Sequence, residues 1–582
     1  MDDKNQNSLE KMLIIDVGST TTKVLFFLKK EEGWRLINRG EAATTVEAPN
    51  EDVMIGVLQA IERVADRVNL SLLEYQDNSY SIKVDHLLAT SSAGGGLQMV
   101  VCGNVGRISG ESAQRAALGG GAILLDVFSP DDSRDYFQRL ERLRSLRPDM
   151  ILLSGGVEGA EVIRFMVEMC DFIRTAKPRP KFGYAHDLPV IYAGSSTAIP
   201  LVKDLLAEGF VVKFVDNLRP SFEEENLEPA REAIHELFIE HVMSNAPGYG
   251  RLQEATSLPL LPTPTAVGEI LVRYASKRRV NLLCVDIGGA TTDVFSVVNG
   301  NYMRSVSANF GMSYSIGNVI NQAGEENIVR WLPEEQEADQ LKWRLATKLL
   351  YPISIPATIE DLFAEQAAAR EALRLSYLDH IAIAKVQKPK GLFETGLLVD
   401  KQEIDIAQID LIIGSGGVLC NAPDRGQAAL MLLDAFQPVG VTQLMVDSVF
   451  MLPHLGAFTH LDEAASLYAL ENDCLIPLGT ALVPQGQPLL NASLSLTGQT
   501  ASGKKISATV QAGDLVSIEL LEQDTAEITV SVTGGFTWPG QHKLTIRGGL
   551  CGIIIDLRGR PLKPSRYKTE WMTALATKEF KE

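Results

Sequence analysis

The chain carries Asp16-Val-Gly-Ser-Thr-Thr-Thr-Lys-Val24, and much further along it carries Asp286-Ile-Gly-Gly-Ala-Thr-Thr-Asp-Val294. Each copy follows an apolar run of strand length, 12–17 and 281–285, and leads into a second β-rich run, 23–28 and 294–298. That reads as strand–turn–strand, twice. Gly18 and Gly288 lack a Cβ, so the backbone can turn sharply and come close to a phosphate. Ser19, Thr20, Thr21, Thr22 and Lys23 surround the first turn, and Gly289, Thr291, Thr292 and Asp293 the second. Hydroxyls and backbone N–H groups in such a hairpin make an anion-binding concavity. Asp16 and Asp286 stand at strand ends, where they are expected to hold Mg²⁺ through water, because Mg²⁺ dehydrates reluctantly. One D-x-G-x-T is an ordinary turn as often as a phosphate loop. Two in matched settings read as an internal duplication.

A third glycine-rich piece completes the pattern. Strand 410–413 ends in Gly414, Ser415, Gly416 and Gly417, ahead of a helix at 425–435. A turn of that kind lets adenine and ribose lie flat against the backbone. A Ser-Gly-Gly turn at 154–156 follows the first copy in a similar way, and the sequence suggests it as the counterpart of 414–417.

Outward from these motifs, Val53, Val57, Leu58, Ile61, Val64, Ala65 and Val68 recur at helical spacing. Run 150–153 reads as a strand, and runs 189–192 and 211–214 read as buried parallel strands. Residues 1–245 thus read as one lobe and 246–264, rich in Pro and Gly, as a hinge or linker. Residues 265–484 read as a second lobe with an alanine-rich helical insert near 325–390, and 485–582 as a β-rich C-terminal domain. The expected class is α/β.

The formal net charge of −19 over 582 residues disfavours a nucleic-acid or anionic-membrane partner, since both need a basic face. Residues 1–11 are polar and acidic, unlike a secretory signal, and no apolar run reaches the ~18 residues of a spanning helix. A cytoplasmic location is the expectation. Cys102, Cys170, Cys284, Cys420, Cys474 and Cys551 stand far apart, as reduced buried thiols would, without the close pairs of a zinc or iron–sulfur site. His235 and His241 do not share a helix face. Residues 498–505 approach a P-loop, but Lys505 stands where Ser or Thr is needed, so a polar turn is expected. Ser91 and Ser92 lack the setting of a nucleophile. Arg558 and Arg560 read equally as an anion site or a salt-bridged surface turn.

These motifs resemble the acetate kinase, sugar kinase, Hsp70 and actin superfamily. In that resemblance 16–23 and 286–294 match its two phosphate motifs, 413–417 its adenosine motif and Thr263-Pro-Thr-Ala-Val267 its connecting helix. It implies two actin/Hsp70-like (ribonuclease H-like) lobes that close on ATP and Mg²⁺. A narrower resemblance spans nearly the whole chain: Ala89-Thr-Ser-Ser-Ala-Gly-Gly-Gly-Leu97, Glu111-Ser-Ala-Gln-Arg-Ala-Ala-Leu-Gly119, Leu153-Ser-Gly-Gly156, Val190-Ile-Tyr-Ala-Gly194, 286–293 and Ile555-Asp-Leu-Arg-Gly-Arg-Pro-Leu562 are similar to the glutamate mutase accessory (MutL/GlmL) family. This implies an ATP-driven reactivating chaperone, a slow Mg²⁺-dependent ATPase that helps an adenosylcobalamin-dependent mutase or aminomutase shed damaged cobalamin. The partners it implies are mutase subunits. A small-molecule kinase of the same superfamily is the alternative, though no acceptor-side base has motif support; a filament-forming actin relative fits the β-tail and insert less well. The chain departs from the Hsp70 pattern in one respect. The nearest glutamate before the connecting helix is Glu254, separated from Thr263 by Pro259 and Pro262, so the water-positioning residue is unassigned.

Overall fold

Lys11–Val17 (β1) is buried along its whole apolar length, so it needs a strand on each side. The computed structural model supplies both. It describes residues 9–577 except 19–20, 32, 47–49, 77–78, 93–96, 105–108, 121, 160–162, 180–186, 222–223, 238–246, 290, 308, 314, 334–339, 353, 385–403 and 563–566. Ser19, Thr20 and His241 therefore lie outside the described residues.

The chain divides into two units. The first holds the described residues up to Leu271 together with Leu452–Asp473, and the second holds the rest. In the first, β1 pairs antiparallel with Thr21–Lys30 (β2), which pairs antiparallel with Gly33–Ala43 (β3). The helix Val53–Val68 then covers this sheet with Val57, Ile61 and Val64, capped by Asp52, whose Oδ1 accepts from Met54 N at 3.0 Å. After a short hairpin, Leu73–Gln76 (β4) and Ser79–Ile82 (β5), His86–Ser91 (β6) runs parallel beside β1.

The chain next leaves this sheet to build another. Gln98–Gly103 (β7), Ile123–Phe128 (β8), Met150–Ser154 (β9), Leu188–Tyr192 (β10) and Phe210–Phe214 (β11) are all parallel, in the order β8-β7-β9-β10-β11. This is a doubly wound sheet in its own right. Leu261–Pro262 (β12) then returns to the first sheet, parallel to β6. The first sheet thus has the order β12-β6-β1-β2-β3. Leu452–Thr459, far away in sequence, packs on β1 and β6, with Phe458 5.9 Å from Phe27 and 6.1 Å from Trp34, ring centre to ring centre.

The second unit repeats the plan. Leu282–Ile287 (β13), Thr292–Val298 (β14) and Asn301–Ser307 (β15) form an antiparallel set, and Leu411–Ser415 (β16) and Gly440–Asp447 (β17) continue parallel to β13. The order β15-β14-β13-β16-β17 repeats β3-β2-β1-β6-β12 with the same strand senses. The fold is two related actin/Hsp70-like lobes, as the duplicated hairpins imply. One expectation is corrected. The 154–156 turn follows β9, in the doubly wound sheet, whereas the strand that flanks β1 as β16 flanks β13 is β6. The counterpart of Ser415 is therefore Thr90, in the stretch Ala89-Thr-Ser-Ser-Ala-Gly-Gly-Gly-Leu97.

In the stretch 325–390, Leu341–Leu350 and Ile359–Ala384 are helices, and the buried alanines of the second allow close packing on helix Arg425–Phe436. Beyond β17, Leu475–Val483 (β18) extends the same sheet. The β-rich tail makes Ser493–Thr500 (β19), Lys505–Gln511 (β20), Leu515–Ile518 (β21), Thr525–Val532 (β22), Lys543–Arg547 (β23) and Ile553–Asp556 (β24). Four of these form the sheet β20-β19-β22-β23, while β24 and β21 join the edge of the lobe sheet beside β18. Residues 498–505 are the β19–β20 hairpin. Arg558 and Arg560 are neither a surface turn nor an open anion site. Both are buried, Arg558 Nη2 2.8 Å and Arg560 Nη2 2.7 Å from Asp556 Oδ2, and Arg558 Nη1 3.0 Å from Asp434 Oδ1. All six cysteines are buried and free. No helix among the described residues is long and apolar enough to cross a membrane.

His380, in helix Ile359–Ala384, is wholly buried, with Nδ1 2.8 Å from Ser305 Oγ and Nε2 2.9 Å from Ser296 Oγ. Burial pushes its pKa down to about 3. An unfolded histidine titrates near ~6.5, so the unfolded chain binds the extra proton in the acid range. The stability this group carries is complete above about pH 6.5 and is lost as pH falls toward its folded value. From pH 7.5 to 5.5 it should cost about 1.4 kcal/mol. Scanning calorimetry at the two pH values should show a smaller acid loss in His380→Asn than in the wild type. Equal losses would contradict this.

Candidate functional site

Asp16 sits one residue before the end of β1, in register with Lys23 on β2 and Thr90 on β6. It is 6% exposed, and its Oδ1 accepts from Thr90 Oγ1 at 2.8 Å and from Thr263 Oγ1 at 2.7 Å. Two hydroxyls on one oxygen fix the carboxylate rotamer. Among the described residues, no hydrogen bond reaches Oδ2. The turn beside it closes through Gly18 N to Thr21 O at 3.1 Å, and a Cβ on Gly18 would stand 2.7 Å from that oxygen. Thr44 Oγ1 donates to Gly18 O at 2.8 Å and lies 3.0 Å from Thr22 Oγ1, so Thr22 is a buried brace of the hairpin.

The second unit gives the same arrangement. Asp286 is half-buried one residue before the end of β13, in register with Asp293 on β14 and Ser415 on β16. Gly288 N donates to Thr291 O at 2.8 Å, closing the same turn. Here the backbone is held further by Met312 N to Gly288 O and Ser313 N to Gly289 O, both 2.9 Å. Thr292 is buried and donates to Phe310 O. Asp293 accepts from Arg304 Nε at 2.9 Å, an arginine only 2% exposed, so this aspartate is held in an ion pair.

At the end of β16 the backbone of Gly416 adopts φ +105°, and a Cβ there would lie 2.2 Å from Ile287 O. That close approach brings Gly417, at the start of a short helix, to the same cavity as Gly288 and Gly289. The cavity measures about 660 Å³ and is completed by Ile355, Leu362 and Val418, with Lys348, Glu365 and Asn421 as polar groups. A volume in the range of small-molecule sites, apolar walls and a few polar groups suit a nucleoside. Lys348 Nζ is 3.0 Å from Glu365 Oε2. Burial raises the Glu365 pKa, and the lysine opposes it.

The described residues therefore fit Mg²⁺ and a nucleotide. Mg²⁺ takes one or two carboxylates and keeps waters, and each hairpin presents one aspartate at the same register. Thr21 and Thr291 lie on the turns, while Gly414 and Ser415 form the end of β16. Thr90 and Thr263 were not among the expected site residues. Thr90 opens the Thr-Ser-Ser stretch and Thr263 the Thr-Pro-Thr stretch, so a signal existed for both. Lys348 and Glu365 lie on insert helices whose pattern carries no sign of a ligand.

A family model described as MutL protein matches residues 12–474. Protein MutL of Clostridium tetanomorphum is 27% identical over 477 residues, covering 77% of this chain and 96% of the relative. Among solved structures, nucleotide-free acetone carboxylase aligns at 12% identity and TM-score 0.31, over 87% of this chain and 81% of that one. Nucleotide-free diol dehydratase-reactivating factor aligns at 10% identity and TM-score 0.29, over 78% and 100%. The strand order described above stands without either.

Gly416→Ala must both hold positive φ and displace the Ile287 backbone, at a cost of roughly 2–4 kcal/mol. Gly417→Ala has room, its nearest neighbour being Asn421 Nδ2 at 3.9 Å. Thermal denaturation should show a marked drop for the first variant and little for the second. Equal melting temperatures would contradict the close approach.

Proposed function

Because this chain belongs to the MutL protein family, we propose that it is an ATP-dependent reactivating chaperone for an adenosylcobalamin-dependent mutase, of the glutamate mutase or aminomutase kind. The observation that carries the reading is the duplicated hairpin, with Asp16 and Asp286 at the same register in two sheets of the same order. In this reading Asp16 and Asp286 hold Mg²⁺ through water. The backbones of Gly18, Gly288 and Gly289 and the hydroxyls of Thr21 and Thr291 meet the phosphates, and Gly414–Gly417 carries the adenosine. Glu365 and Lys348, an acceptor and a donor side by side in the cavity wall, would offer polar partners to the base. Thr90 and Thr263 hold Asp16 in the orientation the metal needs. The chain acts as a slow ATPase rather than as a transferase.

Radical enzymes of this class can lose the adenosyl group and keep an inactive cobalamin in the site. Releasing it needs work from outside. A nucleotide supplies that work only if the ATP-bound and ATP-free chaperone bind the mutase with different affinity.

A cognate mutase inactivated with hydroxocobalamin should regain activity when this protein, ATP, Mg²⁺ and fresh adenosylcobalamin are added together. Leaving out ATP, or using Asp286→Asn, should abolish the recovery. Rapid phosphorylation of a metabolite with no effect on any mutase would make the kinase reading the right one.

A further inference from the structure

The cavity of the second unit is walled in part by Asn421, Ala422 and Pro423, and the next residue, Asp424, holds Thr577. Its Oδ1 accepts from Gly426 N at 2.7 Å, which caps helix Arg425–Phe436. The same carboxylate accepts from Thr577 N at 3.2 and 3.1 Å and from Thr577 Oγ1 at 3.0 Å. Beside it, Gly426 lies so close to the tail that a Cβ would stand 2.0 Å from Leu575 O. At the far end of this helix, Asp434 accepts from Tyr567 Oη at 2.8 Å and from Arg370 Nε at 2.7 Å, and it also pairs with Arg558. Arg370 belongs to helix Ile359–Ala384, whose Ile359, Leu362 and Glu365 line the same cavity.

Two walls of one cavity are thus tied to one tail. A carboxylate shared by a helix cap and Thr577 cannot release either without losing charge-assisted hydrogen bonds. The buried Arg370–Asp434–Arg558 cluster cannot open without leaving a buried charge unpaired. We infer that the C-terminal segment 567–577 is a brace that sets the spacing of the nucleotide cavity, with Asp424 and Thr577 as positioning residues acting through the 421–423 wall. This rests on the reading that the cavity takes ATP. The brace lies beyond residue 474, where the family match ends. It pre-organises the cavity, so it acts on affinity in the folded protein and not on stability alone.

The test is calorimetric titration with Mg·ATP, well below the melting temperature, on four chains: wild type, Thr577→Ser, Thr577→Val and the chain ending at Ala576. Serine keeps both donors and should bind as the wild type does. Valine loses the hydroxyl and should bind about twofold to threefold more weakly, and the shortened chain about threefold to tenfold. Should the shortened chain fail to fold, the valine variant decides. A folded valine or shortened chain with wild-type affinity overturns the brace. Wild-type protein that binds no ATP overturns the reading of the cavity beneath it, and the brace with it.

Discussion

Two hydroxyls, from Thr90 and Thr263, converge on a single oxygen of Asp16. Their convergence requires three backbones in register: β1 carries the carboxylate, β6 runs parallel to it, and β12 runs parallel to β6 and hands the chain directly to Thr263. A slip of one residue in any of these strands would turn the hydroxyl or the carboxylate to the opposite face of the sheet. The geometry of the first hairpin therefore depends on strand pairing set by the buried apolar faces, and the glycines follow from it. The second unit meets the same constraint differently. Its hairpin is held by backbone bonds from 312 and 313 to Gly288 and Gly289, and by the Arg304–Asp293 ion pair.

The hairpins and the glycine turn at 414–417 are legible in the sequence because their chemistry is local. Glycine where a Cβ would strike the chain, and aspartate at a strand end, are requirements of a few adjacent residues. The doubly wound sheet of β7–β11 is legible as strands but not as a separate sheet, since apolar runs report burial and not neighbours. That is why 154–156 looks like the partner of 414–417 until strand pairing is known. Thr90 and Thr263 touch Asp16 across 74 and 247 residues; local motifs mark both residues, but not that they meet this carboxylate. Arg558 and Arg560 show the same gap. A pair of arginines in a turn suggests solvent, yet Asp556 and Asp434 draw them into the core.

The buried charges of the tail bear on how the second unit can work. Arg370, Asp434, Asp556, Arg558 and Arg560 form a cluster of alternating sign around Tyr567, with no large net desolvated charge. Such a cluster adds less to stability than an apolar core of the same size, but it resists partial opening, because removing one member leaves its partners uncompensated. It touches helix Arg425–Phe436, which follows the 414–417 turn, through Asp434.

The central proposal is that Asp16 and Asp286, one on each hairpin, are each needed for binding of Mg²⁺-nucleotide. Isothermal titration of Mg·ATP into wild type, Asp16→Asn and Asp286→Asn tests it most directly. One nucleotide per chain is expected in the wild type. Each substitution should weaken binding by about 1–3 kcal/mol, the scale of a charged hydrogen bond, which is roughly a 5- to 150-fold change in affinity. Wild-type affinity in both variants would contradict the claim.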